Sequence, residues 1–113
     1  MRFLLLLVLS SFCVHSQVDH WESVVLPGDS WYYILPNSNL DVNWIQLNYD
    51  DSGWNTGNSG FGYGDNDDET IIPATISVFI RKTFEIYDTD DIESVLLDID
   101  YDDGFVAYIN GQE

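Results

Sequence analysis

The sequence is poor in cysteine, in cations and in histidine, and each shortage excludes something. Cys13 is the one cysteine, so a chain cleaved behind it has no thiol for disulfides, catalysis or metal binding. Arg2, Arg81 and Lys82 are the only basic residues, set against 20 acidic ones. A chain this acidic repels nucleic acid and anionic membrane surfaces. His15 and His20 are the only histidines. Neither a histidine–cysteine cluster for zinc nor a Gly-x-Ser-x-Gly elbow for a Ser-His-Asp hydrolase is present. Paired carboxylates abound, but in so acidic a chain their abundance is no sign of glycoside hydrolysis. There is no long apolar run and no sustained helical periodicity.

The 113 residues suffice for one small domain. They open as a secretory signal does: Arg2 supplies the positive start, Phe3 to Leu9 is unbroken apolar chain, and Val14-His15-Ser16 offers a cleavage site. The apolar run falls far short of the roughly 20 residues needed to span a bilayer. Ser10-Ser11-Phe12 is a poor lead-in for lipid modification of Cys13. We therefore expect a signal peptide at 1–16, a mature segment at 17–113 and a secreted, extracellular or cell-surface protein with no membrane insertion after cleavage. Two cations against 20 acidic residues give the mature segment a charge of −18. Acidity alone can mean disorder, but 45% apolar and 15% aromatic residues argue for a packed domain.

Beyond the signal, short apolar and aromatic runs alternate with Gly, Asn, Asp and Pro, the pattern of an all-β sandwich. Strands are expected at 23–26, 31–35 and 44–49, with a turn at 50–53. The Gly-, Asn- and Asp-rich stretch 53–68 carries Trp54, Phe61 and Tyr63, and is expected to be an ordered loop pinned by those rings. In 76–86, Ile76, Val78, Ile80, Phe84 and Ile86 share one face while Phe79, Arg81, Thr83, Glu85 and Tyr87 share the other. A further strand at 95–101 turns at Asp102-Asp103-Gly104 into 105–109. Asn110-Gly111 then signals a type I′ hairpin. Its return strand is not in the sequence, so the sandwich is expected to be incomplete at its C-terminal end.

Four motifs occur in order: Tyr49-Asp50-Asp51-Ser52-Gly53-Trp54, Phe61-Gly62-Tyr63-Gly64-Asp65, Val78-Phe79-Ile80-Arg81-Lys82-Thr83-Phe84, and Tyr101-Asp102-Asp103-Gly104-Phe105-Val106-Ala107-Tyr108-Ile109-Asn110-Gly111. Together they resemble the galactose-binding-domain-like β-sandwich modules of large secreted bacterial proteins. Those modules accompany lamin-tail-like, spore-coat-protein-H-like kinase or metallophosphoesterase domains. The Arg-Lys-Thr-Phe strand and the Asn-Gly hairpin are also similar to the sugar-binding domain of glycoside hydrolase family 2. The resemblance runs from about Trp31 to the end. It implies an antiparallel, jelly-roll-like β-sandwich of galactose-binding type, whose relatives bind sugars, proteins or no known ligand.

Two candidate sites follow. Asp65, Asp67, Asp68 and Glu69, with Asn66 among them, gather hard oxygen ligands in one loop, the ligand type calcium takes; plain solvation of the loop is the competing reading. Asp98-x-Asp100-x-Asp102 opens like a calcium loop but fails the EF-hand pattern, with Asp103 at the glycine position and Ile109 at that of the bidentate glutamate. Sugars stack on aromatic faces, and Trp54 in the Gly-rich loop is the candidate platform, with burial in the core as the alternative for it and the other aromatics. Arg81 is expected to meet carboxylates, and Lys82 to lay its stem along the core edge. The reading is a non-catalytic accessory or binding module of an exported multidomain protein, its partners glycans or neighbouring domains. The alternative is the N-terminal appendage of a secreted hydrolase, phosphoesterase or kinase-like enzyme whose catalytic domain lies beyond residue 113.

Overall fold

The computed structural model describes residues 20–37 and 39–113; the expected signal peptide lies outside the described residues. They form strands β1 (Ser30–Ile34), β2 (Asn55–Asn58), β3 (Phe61–Gly62), β4 (Thr70–Ile71) and β5 (Phe79–Arg81), with one short 3-10 helix at Val42–Ile45. The described chain is all-β, with no α-helix. No helix in it is long and apolar enough to cross a membrane.

β1 is the centre of a three-stranded antiparallel sheet ordered β2-β1-β5. Its aromatic and β-branched residues suit a pleated surface. A turn launches it: Asp29 N–H donates to the Leu26 carbonyl at 3.1 Å, and the Asp29 carboxylate accepts the Leu26 N–H at 3.1 Å. Pro36, which has no N–H to give a ladder, stands just beyond its end. Tyr32 lies opposite Thr56 on β2 and Arg81 on β5, and Ile34 lies opposite Phe79. Period-two alternation therefore puts Tyr32, Ile34, Thr56, Phe79 and Arg81 on one face, and Trp31, Tyr33, Gly57 and Ile80 on the other. The second, smaller pair is parallel, Phe61 opposite Thr70 and Gly62 opposite Ile71.

Each face collects rings. On the Tyr33 face, the Tyr33 and Phe61 centroids are 5.2 Å apart. On the Phe79 face, Trp44 meets Phe79 edge-on at 5.3 Å and Tyr108 at 5.8 Å. Ile72, just past β4, is the one buried apolar residue among those described, at 5% exposure.

Several expected strands differ. Residues 23–26 form no ladder. Residues 44–49 turn instead of extending, because Asp41 caps the 3-10 helix: its carboxylate accepts the Asn43 N–H at 2.9 Å, and its carbonyl accepts the Trp44 N–H at 3.0 Å. The stretch 53–68 does more than loop, since β2 and β3 lie within it. Of 76–86 only Phe79–Arg81 pairs, because β1 offers an edge of just five residues between its opening turn and Pro36. Residues 95–101 pair with nothing among the described residues, and 105–109 reach a single antiparallel bridge, Ile109 to Gln112. Their side chains stay open: Leu96 is 72% and Val106 60% exposed.

Candidate functional site

Arg81 leaves β5 on the Phe79 face and holds the turning segment 44–51 against the sheet. Its Nε donates to the Asp51 carboxylate at 2.8 Å, and both side chains are largely buried. Its Nη1 donates to the carbonyls of Trp44 and of Gln46, the latter at 3.1 Å. The guanidinium also stands 5.2 Å from the Tyr49 ring centroid, within cation–π range. One planar, permanently charged group thereby fixes a carboxylate, two carbonyls and an aromatic ring.

Around it the rings form a connected cluster. Trp54 lies 6.2 Å from Trp44 and 5.9 Å from Tyr49, centroid to centroid. Trp54, the expected sugar platform, is half-buried behind Tyr49 in this cluster. Beside Tyr49 opens a shallow groove lined by Asp41, Asn43, Gln46, Asn48, Tyr49 and Asp50. The 3-10 helix and the turn after it build this wall, the Gln46 N–H donating to Asn43 O at 2.9 Å and the Tyr49 N–H to Gln46 O at 3.2 Å. Asp50 closes it as an Asx turn, accepting the Ser52 N–H at 3.1 Å. Hydrogen bonds from the Ser52 hydroxyl and amide hold the Asp50 carboxyl below its ordinary value of 3.8. The groove therefore presents planar amides, carboxylates and one aromatic ring.

The acidic loop is the second feature. Carboxylate oxygens of Asp65, Asp67 and Asp68 all lie within 4.8 Å of one another. Asn66 between them takes a left-handed φ of 67°, which curls the loop. Asp68 reaches back onto the β3 backbone, where a Cβ at Gly62 would collide with its carboxylate. Glu69 is outside the trio; its backbone packs against Gly60, where the Thr70 N–H donates to Gly60 O at 2.8 Å.

Lys82 is held too. Its Nζ is 3.3 Å from the Asp29 carboxylate and 3.1 Å from Ser30 O, and 6.0 Å from the Trp31 ring centroid. Asp29 sits below its usual 3.8, first because of the Leu26 amide and then because of Lys82. His20 is exposed beside Glu22 at 3.3 Å.

No family model, curated protein or solved structure matches this chain. Of the expected site residues, Asp65, Asp67 and Asp68 converge, and Trp54 stands behind the groove without lining it. Of the groove residues, Gln46, Asn48 and Tyr49 fall in the segment 44–49 expected as a strand, which hides the groove from the sequence pattern. The available signal was Asp41-x-Asn43, an Asx cap that turns the chain and sets its polar side chains along one wall.

Proposed function

We propose that the chain is a non-catalytic binding module of a jelly-roll-like, galactose-binding-like β-sandwich, exported, and taking a glycan in the groove beside Tyr49. The observation that carries this reading is the groove's lining. Planar amides and carboxylates both accept hydrogen bonds, and the amides also donate, which suits a ligand whose every hydroxyl does both. The Tyr49 ring adds an aromatic surface for the apolar face of a sugar ring. Trp54 serves from behind, bracing Tyr49, and Arg81 anchors the backbone of 44–46 from which Gln46 projects. Leu96, Leu97 and Val106 are exposed in 95–109, and full burial of each in a sandwich is worth about 1.5–3 kcal/mol.

A glycan array probed with the chain, followed by calorimetric titration of any hit, tests the proposal. Asn43→Ala combined with Gln46→Ala abolishes the heat of binding and leaves near-ultraviolet circular dichroism unchanged. Binding that survives that pair places the ligand elsewhere.

A second reading concerns the acidic loop, on the observation that three carboxylates converge within 4.8 Å. Calcium takes six to eight oxygens in flexible geometry, and Asp65, Asp67 and Asp68 supply part of such a shell, with water or carbonyls completing it. Its role would be structural, bracing β3 and β4.

A further inference from the structure

Among the chain's asparagines and aspartates, only Asp103 and Asn110 are followed by glycine. Both lie on the exposed side of the turns that bound 105–109, and both hold left-handed backbones, φ 66° at Asp103 and 50° at Asn110. Their glycine amides differ. The Gly104 N–H donates to Asp102 O at 2.8 Å. At the second turn the hairpin closes through Ile109 N–H to Gln112 O at 2.8 Å and Gln112 N–H to Ile109 O at 3.0 Å. Among the described residues, the Gly111 amide makes no backbone hydrogen bond.

We propose that Asn110 is a spontaneous deamidation site. The Gly111 nitrogen attacks the Asn110 side-chain carbonyl carbon; a C–N bond forms, the bond to the amide nitrogen breaks, and ammonia leaves with the proton from Gly111. The product is a five-membered succinimide. Water then adds to either ring carbonyl and opens the ring to aspartate or isoaspartate, with no change of oxidation state. Three features favour this position. Gly111 carries no side chain to shield its nitrogen. That nitrogen gives up no backbone hydrogen bond in reacting. Asn110 is exposed, so water reaches the ring.

The consequence is local and structural. An isoaspartate runs the main chain through the former side-chain carbon, one methylene longer, which a two-residue type I′ turn cannot hold in register. The new carboxylate adds one negative charge to an already acidic chain. Gly111 also packs on the Gln46 amide, 2.8 Å from where a Cβ would stand, so its displacement frees Gln46.

The test is incubation of the full chain at mildly alkaline pH, with peptide mapping by mass spectrometry and isoaspartate detection. Asn110 converts at least an order of magnitude faster than any of the chain's seven other asparagines, and faster than Asp103 isomerises. Asn110→Gln, which cannot close a five-membered ring, gives no product at that position. A parallel incubation in urea separates motif from fold: the folded chain reacts within a few-fold of the unfolded one. Conversion at Asn110 no faster than at Asn58, or a folded rate an order of magnitude below the urea rate, overturns the proposal.

Discussion

Replacing Arg81 with Met keeps most of the stem and removes everything the guanidinium does. Asp51 loses its partner at 2.8 Å while still largely buried, the carbonyls of Trp44 and Gln46 lose a charged donor, and Tyr49 loses its cation. Hydrogen bonds to charged groups contribute about 1.5–3 kcal/mol each, and stranding one member of a buried pair costs about 3–5 kcal/mol. These overlap, so we expect a loss of about 3–4 kcal/mol, near the low end because the pair is part-exposed. For a domain near 100 residues, 1 kcal/mol moves the midpoint by roughly 4–8 °C, so the variant melts more than about 12 °C lower. Tryptophan fluorescence and near-ultraviolet circular dichroism report the change directly, because Trp44 and Trp54 are in the cluster Arg81 holds. Asp51→Asn separates charge from contact. In the double variant Arg81→Met with Asp51→Asn, the stranded carboxylate is gone, and the combined loss falls short of the sum by at least about 1 kcal/mol. Additive losses, or an Arg81→Met midpoint within 2–3 °C of the parent, a shift worth under about 1 kcal/mol, would refute the clamp.

Acidification tests Asp29 and Asp50. Both have folded values below 3.8, so each stabilises the fold fully above its unfolded value and that contribution is lost as pH falls through the lowered folded one. Asp29→Asn together with Asp50→Asn should therefore flatten the decline in melting midpoint below pH 4; an unchanged pH profile contradicts the assignment. If calcium fills the acidic loop, it stabilises by about 2.7 kcal/mol at 100 times its dissociation constant, an effect removed by chelator or by Asp67→Asn and not reproduced by monovalent salt at matched ionic strength. Gly62→Ala pushes the flexible Asp68 carboxylate off β3 without moving the backbone, and should cost under about 1 kcal/mol, read as a nearly unchanged urea midpoint.

Local chemistry was the part of this fold legible from residues alone. Ser30–Ile34 overlaps the continuous apolar run 31–35, Phe79–Arg81 lies in a run that alternates, and alternation placed Phe79 and Arg81 on a common face. Asn110-Gly111 turns where it should, with φ of 50° and 80°. What local pattern could not supply was partners. Asn55–Asn58 has poor strand propensity and pairs because β1 presents it an edge. Val42–Ile45 is rich in strand formers and coils because Asp41 caps it. Residues 95–101 alternate well and stay unpaired because no strand among the described residues lies beside them, and 105–109 reach only the Ile109–Gln112 bridge. At the sites, charge density pointed to the acidic loop, whereas the groove at 41–50 exists only after Arg81 folds that turn onto the sheet.

The claim that this is a binding module without catalysis is tested most directly by saturation-transfer nuclear magnetic resonance on glycans from the array. Protein saturation should reach the protons of at least one sugar, the transfer should vanish in the Asn43→Ala, Gln46→Ala variant, and the ligand should be recovered chemically unchanged after prolonged incubation. Absence of transfer to every glycan, or a ligand cleaved by the purified chain, would contradict it.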